Sequence, residues 1–283
     1  MSDATTRERP AGAARKVQGQ VNYLAPMSER PRYYANDHSR DVLKLDPRTV
    51  EIEDARASAQ PPSLDREGFQ LVAHRSAVSS FRDAGEVARV HPAEIERLLL
   101  EVTGADRVVV SGTGVLRFGE SSPDSGRFNN SYPARFIHID ISDRTARQFN
   151  ERSRPKDVDR PVRRAVSYNV WRVISPPPQD IPLALCDART VEAGDLVEAD
   201  AVFDAPDAPE WSFEGWLVRY NPAHRWVYWS DMTRDEALVF VTNDLDPSRP
   251  HNVPHSAFDD PSCPKGAQPR ASIEMRAIAY WFE

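Results

Sequence analysis

Phe136-Ile137-His138-Ile139-Asp140-Ile141-Ser142 reads as an extended segment with two unlike faces. Alternate side chains of a strand point the same way, so His138 and Asp140 share one side while Ile137, Ile139 and Ile141 share the other. Residues two apart are separated by roughly 6.6 Å at Cα, from which both side chains can converge on one ion. His-x-Asp is therefore part of a metal site or, as a tripeptide this short also allows, a half-buried histidine hydrogen-bonded to a neighbour. One more imidazole would complete a 2-His-1-carboxylate facial triad, which leaves three adjacent positions open and suits Fe(II) in oxygen chemistry.

The C-terminal part supplies candidates. Pro250-His251-Asn252-Val253-Pro254-His255-Ser256-Ala257-Phe258 offers two histidines. His255 leads into a run that can enter a sheet and fix its ring, whereas His251 sits in a Pro-flanked loop. Fifteen positions after His255 comes Arg270, paired with Ser272 on one face of an expected strand, and Arg276 continues that face. A guanidinium fork grips a carboxylate at two points, and a hydroxyl adds one more bond.

His138-x-Asp140, the distal His255 and Arg270-x-Ser272 resemble the Fe(II)/2-oxoglutarate-dependent dioxygenases. Asn169-Val170-Trp171-Arg172, Pro182-Leu183-Ala184-Leu185-Cys186-Asp187 and His255-Ser256-Ala257-Phe258-Asp259-Asp260-Pro261 resemble one branch of them. That branch includes fungal meroterpenoid oxygenases, gibberellin-desaturase-like proteins and the small subunit of a cephamycin methoxylase. The resemblance runs from Val21 to the end and implies a mainly β fold with flanking helices, the double-stranded β-helix or jelly roll. It implies Fe(II) on His138, Asp140 and His255, and 2-oxoglutarate held by Arg270 and Ser272. It implies O2 as co-reactant, succinate and CO2 as products, and a hydroxylated or desaturated small natural-product intermediate. Asn169 or Arg172 would touch cosubstrate or substrate, or else occupy ordinary sheet positions. The 114 residues between Asp140 and His255 imply a long insertion. The competing readings are a non-catalytic accessory subunit and a cupin-like metal hydrolase or isomerase, in which Arg270 and Ser272 would have no diacid to bind.

Composition agrees with such a chain. Its 283 residues are 40% hydrophobic and 28% charged, and 24 Pro against 12 Gly suit a β-rich fold with many bends. A net charge of −7 argues against nucleic acid as a partner. No apolar run is long enough to span a membrane, and residues 1–20 lack a signal-peptide core, so a cytoplasmic protein is expected. Cys186 and Cys263 have neither zinc nor dithiol spacing and read as reduced thiols. The expected partner is a small-molecule substrate, with a homodimer left open.

The expected organisation is a loose tail over 1–20 and one domain over 21–283. Within it, 21–130 is a support region and 131–283 the β-helix core. Tyr33 and Tyr34 either wall a pocket or pack the N-terminal arm. Pro92 to Thr103 is the clearest helix, with Ile95, Leu98, Leu99 and Val102 on one face and Gly104 past its end. Gly112-Thr113-Gly114 reads as a turn, Ser142 as the N-cap of a short helix, His74 as a surface or helix-start residue and His224 as a solvent-exposed one. Acidic Val191 to Glu210 is expected to be a mobile cover.

Overall fold

The computed structural model describes residues 15–283. In chain order it contains β1 (Lys16–Leu24), β2 (Arg32–Tyr34), β3 (Leu45–Asp54), β4 (Phe69–Ala73), α1 (Ala84–Thr103), β5 (Arg107–Phe118) and β6 (His138–Ile139). There follow α2 (Asp143–Arg152), β7 (Val162–Val173), β8 (Leu183–Cys186), β9 (Leu196–Phe203), β10 (Trp211–Val218), β11 (Trp226–Tyr228), β12 (Glu236–Asp244), β13 (His255–Ala257) and β14 (Ala271–Phe282). Nine strands form the larger sheet, in the order β1-β3-β11-β8-β13-β6-β10-β9-β2. The other five form the smaller one, β4-β12-β7-β14-β5.

Period-two patterning explains how the larger sheet buries both faces. Leu183 and Leu185 of β8 join the core that contains Trp171, Leu238 and Phe240 of the smaller sheet. Ala184 and Cys186, pointing the other way, join Val17, Tyr23, Ile52, Trp226 and Phe258 in a second core. Ile137 and Ile139 belong to that second core, so the alternation expected around His138 holds. The ladder there is only two residues long, and Asp140 lies just beyond it.

Several expectations change. The tail ends before Lys16, because Val17, Gly19 and Val21 pair with β3 and pack inward; residues 1–14 lie outside the described residues. A Cβ on Gly19 would come within 2.7 Å of Ile52 and Phe258, so only glycine fits this approach. Strands preceding residue 131 belong to both sheets, β1 to β3 in the larger and β4 and β5 in the smaller, so residues 21–130 are built into the sandwich. The helix starts at Ala84, eight residues early: the Asp83 carboxylate accepts from Glu86 N at 3.0 Å as its N-cap, and Pro92 is accommodated inside. Gly112–Gly114 is a bulge within β5, with three residues opposite Met275 between the pairs Ser111↔Arg276 and Val115↔Glu274. The middle of Val191 to Glu210 is strand, since Leu196–Phe203 forms β9 and pairs with β10 along its whole length, with Ala199 and Ala201 buried and alternating with Glu198 and Asp200. Glu198 and Asp200 form the outward face of that alternating strand.

The helix boundary is testable by urea denaturation. Asp83→Ala should cost about 1 kcal/mol through the lost cap. Leu99→Ala, on the buried face of α1, should cost about 2–5 kcal/mol. An Asp83→Ala protein as stable as the parent would move the helix start back toward Pro92.

Candidate active site

The larger sheet brings three ligating side chains together. His138 on β6 and His255 on β13 are direct partners in the ladder, which sets their rings 4.3 Å apart, centroid to centroid. In each ring Nδ1 lies 3.1 Å from a backbone carbonyl two residues earlier, Phe136 O for His138 and Val253 O for His255. That bond fixes Nδ1 as the protonated nitrogen and turns the free Nε2 inward. Asp140 Oδ1 lies 3.5 Å from Nε2 of His138 and 3.9 Å from Nε2 of His255. All three side chains are buried, and their ligating atoms lie within 4.8 Å of one another.

The other Asp140 oxygen is held from the smaller sheet. Asn169 Nδ2 on β7 donates to Oδ2 at 2.7 Å, and Arg276 Nε on β14 lies 3.2 Å from the same oxygen. Burial opposes ionisation of this carboxyl, but Arg276 and the two imidazoles hold it well below the usual carboxylate range. Burial also pushes His255 down to about 3, so its imidazole is neutral at physiological pH. Gly215 on β10 completes the seat: a Cβ there would meet Asp140 O at 2.6 Å.

A second cluster lies beside the first. Arg270, just before β14, is 1% exposed, and Ser272 is fully buried. The Arg270 guanidinium sits 5.7 Å from the Trp171 ring centre, its Nε and Nη2 have no hydrogen-bond partner, and neither does Ser272 Oγ. Burial, aided by the like charges of Arg117 and Arg135, pushes Arg270 down to about 9. His138, His255, Trp171 and Arg270 line one small pocket, so cation and triad face a common space. A buried guanidinium with open donors is costly unless an anion completes it.

Not every expected residue converges here. Asn169 does. Arg172, three residues along β7, points to the opposite face, where its guanidinium contacts His74 and donates to the Arg234 carbonyl at 3.2 Å. His74 is half-buried and tied to Arg172, so it is not free in solvent. Nor is His224: its ring is buried between Tyr23 Oη and Asp195 Oδ2, each at 3.1 Å. His251 is engaged by Asp143 at 3.0 Å, away from the triad. Arg276 has Asp140 and Glu274 as partners, whereas Nε and Nη2 of Arg270 have none. Tyr33 and Tyr34 do wall a cavity, one that reaches His138 and Asp140. The same cavity is lined by Arg117, Phe203 and Phe213, which no motif singled out; only the alternation of Phe203 with buried Ala201 hinted at an inward face.

Residues 21–280 match the family described as an oxidoreductase/YMDC permease-like domain. The hydroxylase/desaturase CTB9 of Cercospora beticola is 30% identical over 255 residues, which cover 84% of this chain and 78% of that protein. The chain belongs to this oxidoreductase family. Within it the protein falls with the fungal hydroxylase/desaturases and Fe(II)/2-oxoglutarate-dependent oxygenases. The hydroxylase/desaturase efuI of Hormonema carpetanum is a further relative, 30% identical over 257 residues, 84% of this chain and 85% of its own. The solved iron and alpha-ketoglutarate-dependent endoperoxidase NvfI superimposes with a TM-score of 0.79 at 24% identity, covering 95% of this oxygenase and 99% of NvfI. That likeness gives the fold, the double-stranded β-helix expected from the sequence.

In this oxygenase His255→Ala should abolish stoichiometric Fe(II) binding, while His251→Ala should retain it, because the first removes an inward Nε2 and the second a contact with Asp143. Metal analysis of both purified variants checks this. An iron-replete His255→Ala would remove His255 from the triad.

Proposed function

We propose that the protein oxidises a small natural-product intermediate with Fe(II) held by His138, Asp140 and His255 and 2-oxoglutarate anchored by Arg270 and Ser272. The observation that carries this reading is the pair of unfilled donors on Arg270, which lines the pocket of His138 and His255, together with the unfilled hydroxyl of Ser272 two residues on. A five-carbon diacid fits that arrangement: one end reaches the metal while the far carboxylate takes the guanidinium fork. The donor set fits Fe(II) as well, with two neutral imidazoles, one carboxylate and room for exogenous ligands.

Bound Fe(II), 2-oxoglutarate and O2 supply oxidation of an unactivated C–H bond with release of succinate and CO2. The chain's own part is positioning and exclusion of water. His138 and His255 are locked by their carbonyl bonds, and Asn169 and Arg276 keep Asp140 Oδ1 turned to the metal position. Trp171 and Leu183 supply an apolar wall to the cosubstrate end. A pre-set triad favours a catalytic chain over an accessory subunit. A hydrolase using the same three ligands would leave the buried Arg270 without an occupant. Among the described residues no helix is long and apolar enough to cross a membrane, and the free thiols Cys186 and Cys263 fit a reducing compartment such as the cytoplasm.

Arg270→Ala should raise the 2-oxoglutarate half-saturation by roughly thirtyfold or more, since breaking a desolvated charge pair costs about 2–5 kcal/mol. Fe(II) stoichiometry should stay at the parent level. Titration of 2-oxoglutarate against both proteins is the measurement, and an unaltered half-saturation would remove Arg270 from the cosubstrate site.

A further inference from the structure

Arg117 on β5 is a cation that the triad and the cosubstrate anchor do not use. It lines both the small pocket of Arg270 and the larger cavity over His138 and Asp140. Its three hydrogen bonds all leave from one nitrogen: Nη1 donates to Asn130 O at 3.2 Å, Asn130 Oδ1 at 3.0 Å and Tyr132 O at 2.8 Å. All three acceptors are neutral. Nε and Nη2 donate to nothing within the described residues, and no ion pair reaches the guanidinium there. The nearest acid on its sheet, Glu274, is already paired with Arg276 at 3.0 Å. Nη1 therefore acts as a hinge pin, and the opposite edge of the fork is left for a ligand.

The cavity facing that edge measures about 330 Å³. Its walls are aromatic: Tyr33 and Phe136 lie 4.9 Å apart by centroid, and Phe203 and Phe213 stack at 5.2 Å with planes 28° apart. Flat rings presented in this way select flat apolar ligands. Charge counting gives the head group. With Fe(II) set against the 2-oxoglutarate dianion, Arg276 is paired with Asp140 and Glu274, Arg135 with Glu120, and Asp41 is engaged by His38 and the Tyr34 backbone N, so no carboxylate along the walls is paired with the guanidinium of Arg117.

We propose that Arg117 binds an anionic oxygen group on a planar, largely apolar substrate, whose body lies along the Phe203 and Phe213 wall. This rests on the function proposed above, because the charge count assumes iron and cosubstrate in place. Arg117 thereby sets both specificity and orientation: pairing at β5 fixes one end of the substrate and presents the remainder to the metal side of the cavity.

The test uses the Fe(II)- and 2-oxoglutarate-loaded protein under argon, with 2-naphthoate and its neutral methyl ester as probes, followed by calorimetry. The visible absorption of the iron–2-oxoglutarate complex is recorded first; its absence would count against the function proposed above and not against Arg117. The acid should bind about tenfold or more tightly than the ester, the scale of one shielded charge pair. Arg117→Gln should erase that preference, and Arg117→Lys, which keeps the charge, should restore part of it. In both variants the 2-oxoglutarate titration should match the parent, which also reports an intact site. Equal binding of acid and ester, binding of neither, or a preference that survives Arg117→Gln would each overturn the assignment. A raised 2-oxoglutarate requirement in Arg117→Gln would overturn it too, by making Arg117 part of the cosubstrate anchor.

Discussion

The Asp140 carboxylate joins the two sheets, and the geometry of the site follows from how its charge is satisfied. A buried carboxylate survives only when both oxygens are engaged. Here Oδ2 takes Asn169 and Arg276 from the smaller sheet, while Oδ1 is left to the imidazoles on the larger one. The division of labour makes Asp140 a one-oxygen ligand and ties the separation of the sheets to the site. Arg276 is itself buffered by Glu274 at 3.0 Å, and burial notwithstanding, Asp140 and Glu274 raise its pKa above the ordinary arginine range. The clamp stays charged at any pH the fold tolerates.

Around the pocket of Arg270 the electrostatics run the other way. Arg270 is buried against an aromatic ring with Arg117 and Arg135 nearby, and the acids Asp180 and Glu120 offset that crowding only in part. Asp180 accepts from the Arg270 backbone N at 2.8 Å, which positions the chain without neutralising the side chain. A fold seldom keeps an uncompensated buried cation for stability alone; such strain is kept where a ligand completes it. The ligand's charge then stabilises the loaded protein relative to the empty one.

The sequence displayed the metal site more clearly than the walls around it, and the physical reason is range. His138 and Asp140 are two residues apart, so strand alternation alone aligned them, and the run after His255 fixed its ring through the same ladder. Arg270 and Ser272 again needed only period two. Arg117, Asn130, Phe203 and Phe213 meet across non-local pairings that no local pattern encodes. Arg172 was misleading because Asn169-Val170-Trp171-Arg172 places successive residues on opposite faces, and only Asn169 and Trp171 look into the site. His224 sits in a turn, where exposure is the usual outcome, but Tyr23 and Asp195 from distant segments bury its ring. The acidity of β9 suggested a loop because charge was weighed ahead of the alternating alanines. Before Pro92, α1 is marked by the Asp83 cap and by Val87, Val90 and His91, a weaker signal than the apolar face that follows.

Register decides whether the Asp140 clamp can form. Arg276 and Asn169 are direct partners across the β14 and β7 ladder, so they project from the same face and reach one oxygen together. A slip of one residue would turn both away. The distortion the barrel requires is placed on the other side of β14, in edge strand β5, where Gly112 and Gly114 take φ of +70° and +100°. At Gly114 a Cβ would lie 2.7 Å from Met275 Sδ, so glycine alone lets the bulge close against β14. Bending is absorbed at the edge, the pairing of β14 with β7 continues unbroken through Glu274, Met275 and Arg276, and the clamp keeps its aim. The same bulge separates Ser111 and Thr113, on the side of one cavity, from Arg117 at the other, so that both open toward Asp140 with Arg276 between them.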